Sequence, residues 1–416
     1  QVSQVAVPSV EMIPIDDARA QVLDACRVLP VVEVDAPDMV GRVLASDVVA
    51  NENVPPFANS AVDGFGVRSE DVSSVPVRMR VVGTLAAGAP PDISIGRGEA
   101  VRIMTGAVIP PGVDAVVMVE DSTMVGDDLV ELTKSAPAGG AIRDEGSDVT
   151  AGSTVFRAGQ VLNAAGIGVL ASINARRVKA VARARVALLS TGDELVVDGS
   201  ALKPGQIRES NLTMLDRMIR DTGCEVVNLG IVRDDEDTLV EVLTRAVETC
   251  DAIVTSGGVS MGDFDVVKAV LSRHARMNWM QLAIKPAKPF AFGLWKNSSG
   301  IDVPIFGLPG NPVSSLISYE LMARPALRKM MGHTRDLLRP KIRAVLDAPI
   351  ARKPDGKIHY VRVHGSFAPD GRLHVRDTGP QGSHQLAATA LANGLAEVPD
   401  GSGLGAGAEV DVLVID

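Results

Sequence analysis

From Arg185 onward the apolar positions fall into an alternating order of strands and helices. RVALLS is a short buried-strand run. From Asn211, the residues Leu212, Leu215, Met218 and Ile219 recur at helical spacing, Gly223 can end that helix, and EVVNLGIV reads as the next strand. A second helix, roughly 236–249, carries Leu239, Leu243, Ala246 and Val247 on one face and leads into the strand DAIVTS. WMQLAI, PFAFGL and VPIFGL are strand-like, and a helix from Val313 carries Leu316, Ile317, Leu321 and Met322. This alternation predicts a doubly wound, mostly parallel α/β domain, whose ligands bind at the carboxyl ends of the strands.

The flanks have a different texture. Residues 14–28 place Ala18, Val22, Ala25 and Cys26 on one helical stripe behind Asp16, a helix expected to belong to a first domain. Residues 51–141 hold short β-like runs such as VRMRVVGTL and DAVVMVED between Gly/Pro-rich turns, a β-rich insert; the helix-like NAAGIGVLASI then resumes the earlier style, so the first domain is discontinuous. Past Arg339, IRAVLDAPI, KIHYVRVHGSF, GRLHVRDT and AEVDVLVI predict a small all-β domain with one polar helix-like stretch near residues 383–393. The expected boundaries are 1–50 with 142–178, 51–141, 179–334 and 335–416.

Composition narrows the partners. A net charge of −10 with 3% aromatic residues argues against a nucleic-acid surface, which interleaves basic and aromatic side chains. No run approaches the ~20 apolar residues of a membrane span. Cys26, Cys224 and Cys250 lack CxxC spacing and sit in apolar surroundings, which suits buried thiols in a reducing, cytoplasmic setting.

Three glycine-containing turns follow predicted strands: STGDEL at 190–195, SGGVSMGDFD at 256–265 and GLPGNPVSS at 307–315. They should meet on one rim. Each can be an ordinary strand-to-helix turn or a place where backbone N–H groups approach an anion. Glu194, Asp234, Asp263 and Asp265 lie just beyond strand ends, with Asp63 and Asp148 in other glycine-rich stretches; around a phosphate such carboxylates call for a divalent cation, and magnesium suits sparse carboxylate ligation. Asp263 also reads as a helix cap. IKPAKP presents Lys285 and Lys288 on a proline-stiffened segment, an arrangement for an oxyanion or a solvated turn. His359, His364 and His374 fit the alternation of the C-terminal strands as surface or satisfied residues. There is no HExxH motif and no CxxC pair.

NSAVDGFGVR, VRIMTGAVIPPGVDAVVMVED, RDEGSDV, LLSTGDELV, GQIRESN, TSGGVSMGDFD, IKPAKPFAFG and GLPGNPVSS occur in the order seen in the molybdopterin molybdenumtransferase family, the MoeA proteins and the C-terminal part of gephyrin. The resemblance spans nearly the whole chain. It implies a central molybdopterin-binding α/β domain, a dimerising first domain and a barrel-like C-terminal one. It also implies a cytoplasmic, magnesium-dependent homodimer that inserts molybdenum from molybdate into adenylylated molybdopterin and releases AMP, in a cleft shared between subunits. The enzyme of the preceding adenylylation step and the recipient molybdoenzymes are the implied protein partners. Carried over by position, Asp63, Thr105 and Asp148 belong to the cleft, Glu194, Asp234 and Asp265 surround the metal, and Gly257, Gly258 and Ser260 form the nucleotide or pterin loop. Pro309 and Pro312 shape a turn. Lys285, Lys288, Ser314, Arg362 and Ser383 resemble a molybdate pocket. VDGFG stands where the family usually has MDGYA, PAKP where it has PGKP, and QGSHQLAAT where a serine-richer segment is common, so Ala287 narrows the lysine turn and tungstate stays an alternative oxyanion. Adenylylation itself and a gephyrin-like scaffold are the rival readings.

Overall fold

A computed structural model of the chain describes residues 11–233, 235–258 and 266–415. The chain forms two compact units: one spans Glu33–Ala180, and the other takes the residues up to Val32 and from Val181 onward.

In the Glu33–Ala180 unit, a six-stranded sheet runs in the order Ala115–Met118, Gly64–Val67, Glu99–Ile103, Val77–Leu85, Leu129–Leu132, Ser122–Met124. Phe65, Val67, Met79, Val130 and Leu132 pack one core against it, and Leu85, Val101, Ile103 and Val116 a second. These are the alternate positions of the β-like runs in the expected insert. A third core joins Met39, Leu44 and Val48 to Leu162, Leu170 and Ile173, residues from both sides of the insert. The helix Ala164–Ser172 that carries Leu170 begins where the Asn163 side chain accepts the Gly166 N–H at 3.0 Å.

The other unit contains the α/β sheet, ordered Glu225–Val232, Arg185–Thr191, Ala252–Ser256, Asp302–Leu308, Pro289–Lys296, Arg276–Gln281. The first four are parallel, Pro289–Lys296 runs antiparallel to both its neighbours, and Arg276–Gln281 again points with the first four. The chain winds one way from Arg185–Thr191 to Glu225–Val232, and the other way from Ala252–Ser256. The switch point therefore lies between Arg185–Thr191 and Ala252–Ser256, beneath the turns that begin at Gly192 and Gly257. The expected helical faces hold: Leu212, Leu215 and Ile219 are buried on Asn211–Asp221, and Leu239, Leu243, Ala246 and Val247 on Glu236–Thr249. Gly223, at φ +98°, follows the first of these helices.

Two expectations change. The helix from Val313 runs as Pro312–Ser318, widens to a π-turn at Tyr319–Ala323 and continues as Arg324–Met330. Pro325 explains the irregularity, because it has no N–H to give the carbonyl four residues back, that of Leu321. The Nε of Arg19 donates to that carbonyl at 2.8 Å instead. Arg19 sits on Ile15–Ala25, so this helix, expected in the first domain, packs with the α/β unit. The second change is that the helical stretch expected near 383–393 is a single turn, Leu386–Thr389.

The C-terminal strands close on themselves. Ile358–Phe367, Leu373–Asp377, Lys341–Leu346, Glu409–Val414 and Gly394–Val398 pair in sequence, and Gly394–Val398 pairs back to Ile358–Phe367, giving a five-stranded barrel with Val363, Val375, Ala396 and Val412 inside. Closure leaves these strands no free edge, except where Ile284–Lys285 of the α/β domain adds alongside Ile358–His359. Among the described residues no helix is long and apolar enough to cross a membrane.

Candidate active site

The three strand-end turns do meet. Gly257 and Gly258 both take left-handed conformations, at φ +89° and +74°. A Cβ on Gly257 would stand 3.1 Å from the carbonyl oxygen of Thr191, and one on Gly258 would stand 2.5 Å from the Val267 side chain. The Gly257 N–H donates to the Leu308 carbonyl at 3.1 Å, and a Cβ on Gly310 would lie 3.8 Å from the Gly257 Cα. At Gly257 and Gly258 the contacts need residues without side chains, which the SGG sequence supplies, whereas at Gly310 a Cβ would find ordinary room.

Asn211 ties two of the turns together. Its Nδ2 donates to Ser256 Oγ at 2.7 Å and to the Gly310 carbonyl at 2.8 Å, while its buried Oδ1 has no partner. Asn211 is only 7% exposed. Glu209 holds the residue from below, its carboxylate accepting the Asn211 N–H at 3.1 Å and the Leu212 N–H at 2.9 Å. Burial pushes the Glu209 carboxyl above its ordinary value, against the opposing hydrogen bonds from Leu212, Ser190 and Asn211. Neither residue was among the expected site residues. The signal was the polar Glu-Ser-Asn triplet directly before a helix, which offers capping groups at a strand-end rim.

Of the expected carboxylates, Glu194 is exposed and lies back over its own turn: a Cβ on Gly192 would come 2.7 Å from its Oε2. Asp234, Asp263, Asp265 and Ser260 lie outside the described residues. Asp235 caps the next helix, accepting the Thr238 N–H at 2.8 Å. Among the described residues no group of three or more His, Cys, Asp or Glu could hold a metal ion. The described donors therefore do not make a magnesium site by themselves.

The lysine turn is held by the barrel. Lys285 is the register partner of His359 in the parallel ladder of Ile284–Lys285 with Ile358–His359. Lys285 and Lys288 are exposed, and Ala287 between them is 3% exposed at φ +76°, a left-handed conformation that suits glycine better. Farther along the same barrel strand, Arg362 is fully buried. Its guanidinium donates to the carbonyls of Gln381 at 3.1 Å, Pro380 at 3.0 Å and Gly382 at 3.2 Å, and its Nε has no partner. Arg362 thus shapes the 380–382 segment from behind rather than presenting its fork to solvent. That segment delivers Ser383, whose carbonyl accepts the Val313 N–H at 3.1 Å, beside the buried Ser314. Pro312 starts that helix and Pro309 is buried in the turn before it. The structure so brings Ser383 to Ser314 and Lys285 to His359, and strand alternation sets His359 and Arg362 on opposite faces of the barrel wall.

In the Glu33–Ala180 unit, Asp63 and Thr105 form one constellation. Asp63 Oδ1 accepts the Thr105 N–H at 2.7 Å and its Oγ1–H at 2.8 Å. These bonds hold the Asp63 carboxyl below the usual range. Asp148 sits where its N–H donates to the Val54 carbonyl at 2.9 Å.

Three family descriptions cover the chain: "MoeA N-terminal region (domain I and II)" matches residues 13–174, "Probable molybdopterin binding domain" residues 187–329, and "MoeA C-terminal region (domain IV)" residues 343–415. The chain is 39% identical over 391 residues to "Molybdopterin molybdenumtransferase 2" of Mycobacterium tuberculosis, covering 92% of this chain and 93% of the relative. It is 34% identical over 383 residues to the molybdopterin molybdenumtransferase of Haemophilus influenzae, with the same coverage of 92% and 93%. A solved molybdopterin biosynthesis MoeA protein of Pyrococcus horikoshii superimposes with a TM-score of 0.78 at 30% identity, over 98% of this chain and 100% of that one. With matched segments that span all but the termini and short connections, and a solved relative that follows nearly its full length, the chain belongs to the MoeA family.

Proposed function

We propose that the chain is a molybdopterin molybdenumtransferase, which inserts molybdenum from molybdate into adenylylated molybdopterin with release of AMP. What supports this reading is the rim at the switch point: three turns converge on one another, two of them tied by Asn211, in a domain that also carries a lysine turn buttressed by the barrel. The phosphorylated pterin fits the close-approach turns at Gly257, Gly258, Pro309 and Pro312, with Ser260 in the same loop. The tetrahedral dianion fits the fixed ammonium groups of Lys285 and Lys288 and the hydroxyls of Ser314 and Ser383, with Arg362 behind.

The chemistry asks for positioning and charge, not for a protein nucleophile. Magnesium would neutralise charge on the phosphoanhydride; Glu194, Asp234 and Asp265 are the carboxylates assigned to it. The working form is a homodimer whose cleft takes residues from both subunits, Asp63, Thr105 and Asp148 among them. Four domains, 1–50 with 142–178, 51–141, 179–334 and 335–416, are the proposed partition, amended by the helix Ile15–Ala25, which goes with the third. A cytoplasmic location agrees with three free, buried cysteines. The deciding assay supplies adenylylated molybdopterin, magnesium and molybdate, and follows AMP together with reconstitution of a cofactor-free molybdoenzyme. Molybdate-dependent turnover is expected; consumption of ATP with unmodified molybdopterin instead, or no turnover at all, overturns the reading.

A further inference from the structure

The barrel contributes more to the lysine turn than a strand. His359 and Lys285 are register partners, so their side chains leave the same face of the ladder. The His359 Nε2 lies 3.2 and 3.1 Å from the two carboxylate oxygens of Asp355, and the imidazole side chain is 14% exposed. Asp355 cannot drift. It accepts Arg352 Nη2 at 2.6 Å and Lys357 Nζ at 3.1 Å, and its own N–H and that of Gly356 are held by Asp400 at 3.0 and 3.1 Å. Arg352, with 3% of its side chain exposed, is itself bound to the carbonyls of Lys357, Val398 and Pro399.

The charges around the ring almost cancel. The turn at 352–357 supplies Arg352, Asp355 and Lys357, and Asp400 pairs with Arg352. The neighbouring strand pairs Val398 with His359, and its Glu397 is engaged by Lys341. The paired strand supplies Lys285. Two anions therefore stand against Arg352 and Lys357, and a proton on His359 would add to Lys285 rather than be absorbed by the turn.

We propose that His359 is a positioning residue of the oxyanion end of the site, and that in mild acid it becomes a second fixed cation beside Lys285, strengthening the hold on a dianion. This rests on the reading that Lys285 holds molybdate. Burial first, with Arg352 and Lys285 adding to it against the pull of Asp355, keeps the imidazole below its ordinary value, so the ring is neutral in the empty site at neutral pH. Linkage gives the converse: a dianion arriving at Lys285 raises the affinity of His359 for a proton.

The test is proton uptake on binding. Micromolar molybdate is titrated calorimetrically into the full-length protein at about pH 6 and about pH 7.5, in buffers of different ionisation enthalpy, a window in which histidine changes charge. Net proton uptake at the lower pH and an affinity higher there by about three- to tenfold are expected, a tenfold gain being one unit of pKa shift. His359→Gln, whose amide still donates to Asp355, is expected to bind with the neutral-pH affinity at both pH values and without uptake. Absence of uptake in the unaltered protein overturns the proposal, as does undiminished uptake in His359→Gln. Lys285→Ala separates the two levels: if it leaves molybdate binding intact, the assignment of the oxyanion site is wrong; if it abolishes binding while His359→Gln keeps the full pH slope, only the role of His359 falls.

Discussion

Replacing Asn211 with alanine cuts the tie between two of the three turns. The amide's two donated bonds, at 2.7 and 2.8 Å, end on a hydroxyl that can rotate and on a carbonyl that cannot, so the Gly310 carbonyl bears most of the loss. One acceptor left without its donor costs about 1–3 kcal/mol. The substitution also removes Oδ1, a buried acceptor that already lacks a partner, which returns part of that cost. The net loss is about 1–2 kcal/mol, small beside the ~5–15 kcal/mol of a folded domain. Function should suffer more than stability, because a displacement of about 1 Å between positioning groups can cost up to ~100-fold in rate. Asn211→Asp sharpens the comparison: it keeps the shape but turns a buried carboxylate toward the Gly310 carbonyl and the already crowded Glu209, and is expected to be worse than alanine on both counts. Urea unfolding by circular dichroism gives the stability term, and steady-state assays with the adenylylated pterin give KM and kcat. An alanine variant with a shifted midpoint and unchanged kinetics would show that the tie is architectural only. A loss above about 4 kcal/mol would show that the bond arithmetic misses a larger role in the core.

Four further outcomes follow from the same geometry. Lys285→Ala, at an exposed position, should leave the unfolding midpoint in place and lower molybdate-dependent turnover by about 100-fold, as loss of an electrostatic partner of the transition state does. If each cleft is built from two subunits, Asp63→Ala and Lys285→Ala proteins, each inactive alone, should regain part of the activity when unfolded and refolded together; failure to do so despite mixed-dimer formation would place both residues on one subunit's side. Burial, with Arg328 and Arg324 adding to it, pushes the His333 imidazole down to about 4 from 6.5, so between those values the unfolded chain binds a proton that the folded one refuses, and stability drains away as pH falls through that window. The His333-dependent part is at most on the order of 3 kcal/mol, and urea melts at about pH 7 and about pH 4.5 should show it in the unaltered protein and not in His333→Gln. Ala287→Gly trades about 1–2 kcal/mol of left-handed strain against a buried methyl worth about 0.8 kcal/mol and a freer unfolded chain, so its melting temperature should barely move.

Much of the architecture was readable because the α/β domain writes itself in periodicity. Leu239, Leu243, Ala246 and Val247 form one helical face, and the glycines after Ser256 permit the left-handed turns they adopt. The apolar stripe of the helix Ile15–Ala25 says that it packs, and not against what; one of its contacts, Arg19 on the Leu321 carbonyl, joins residues 302 positions apart. The π-turn at Tyr319–Ala323 had a local signal in Pro325, but a proline predicts a break or a kink without saying which. Asn211 and Glu209 are hidden in the sequence for a different reason. Polar residues before a helix are ordinarily caps, and only the folded chain shows that one of them reaches across to Ser256 and Gly310.

Arg362 is the sharpest divergence between a residue's type and its placement. A cation with no exposed surface and no carboxylate partner is costly: its positive charge is lowered in affinity for its proton by burial, and three carbonyls only partly replace water. The three carbonyls it satisfies account for donors at that place, but not for their carrying a full charge. The charge is explained if its counter-ion arrives with the substrate. The 380–382 carbonyls set the segment that brings Ser383 against Val313, and a dianion resting near Ser383 and Ser314 would feel Arg362 across a thin, poorly screening layer of backbone. On that view the barrel would serve the oxyanion twice from one strand: through His359 it would add a second cation beside Lys285 in mild acid, and through Arg362 it would supply a buried field behind the serine segment. The two faces of a single wall would then do different work, contact on one side and potential on the other.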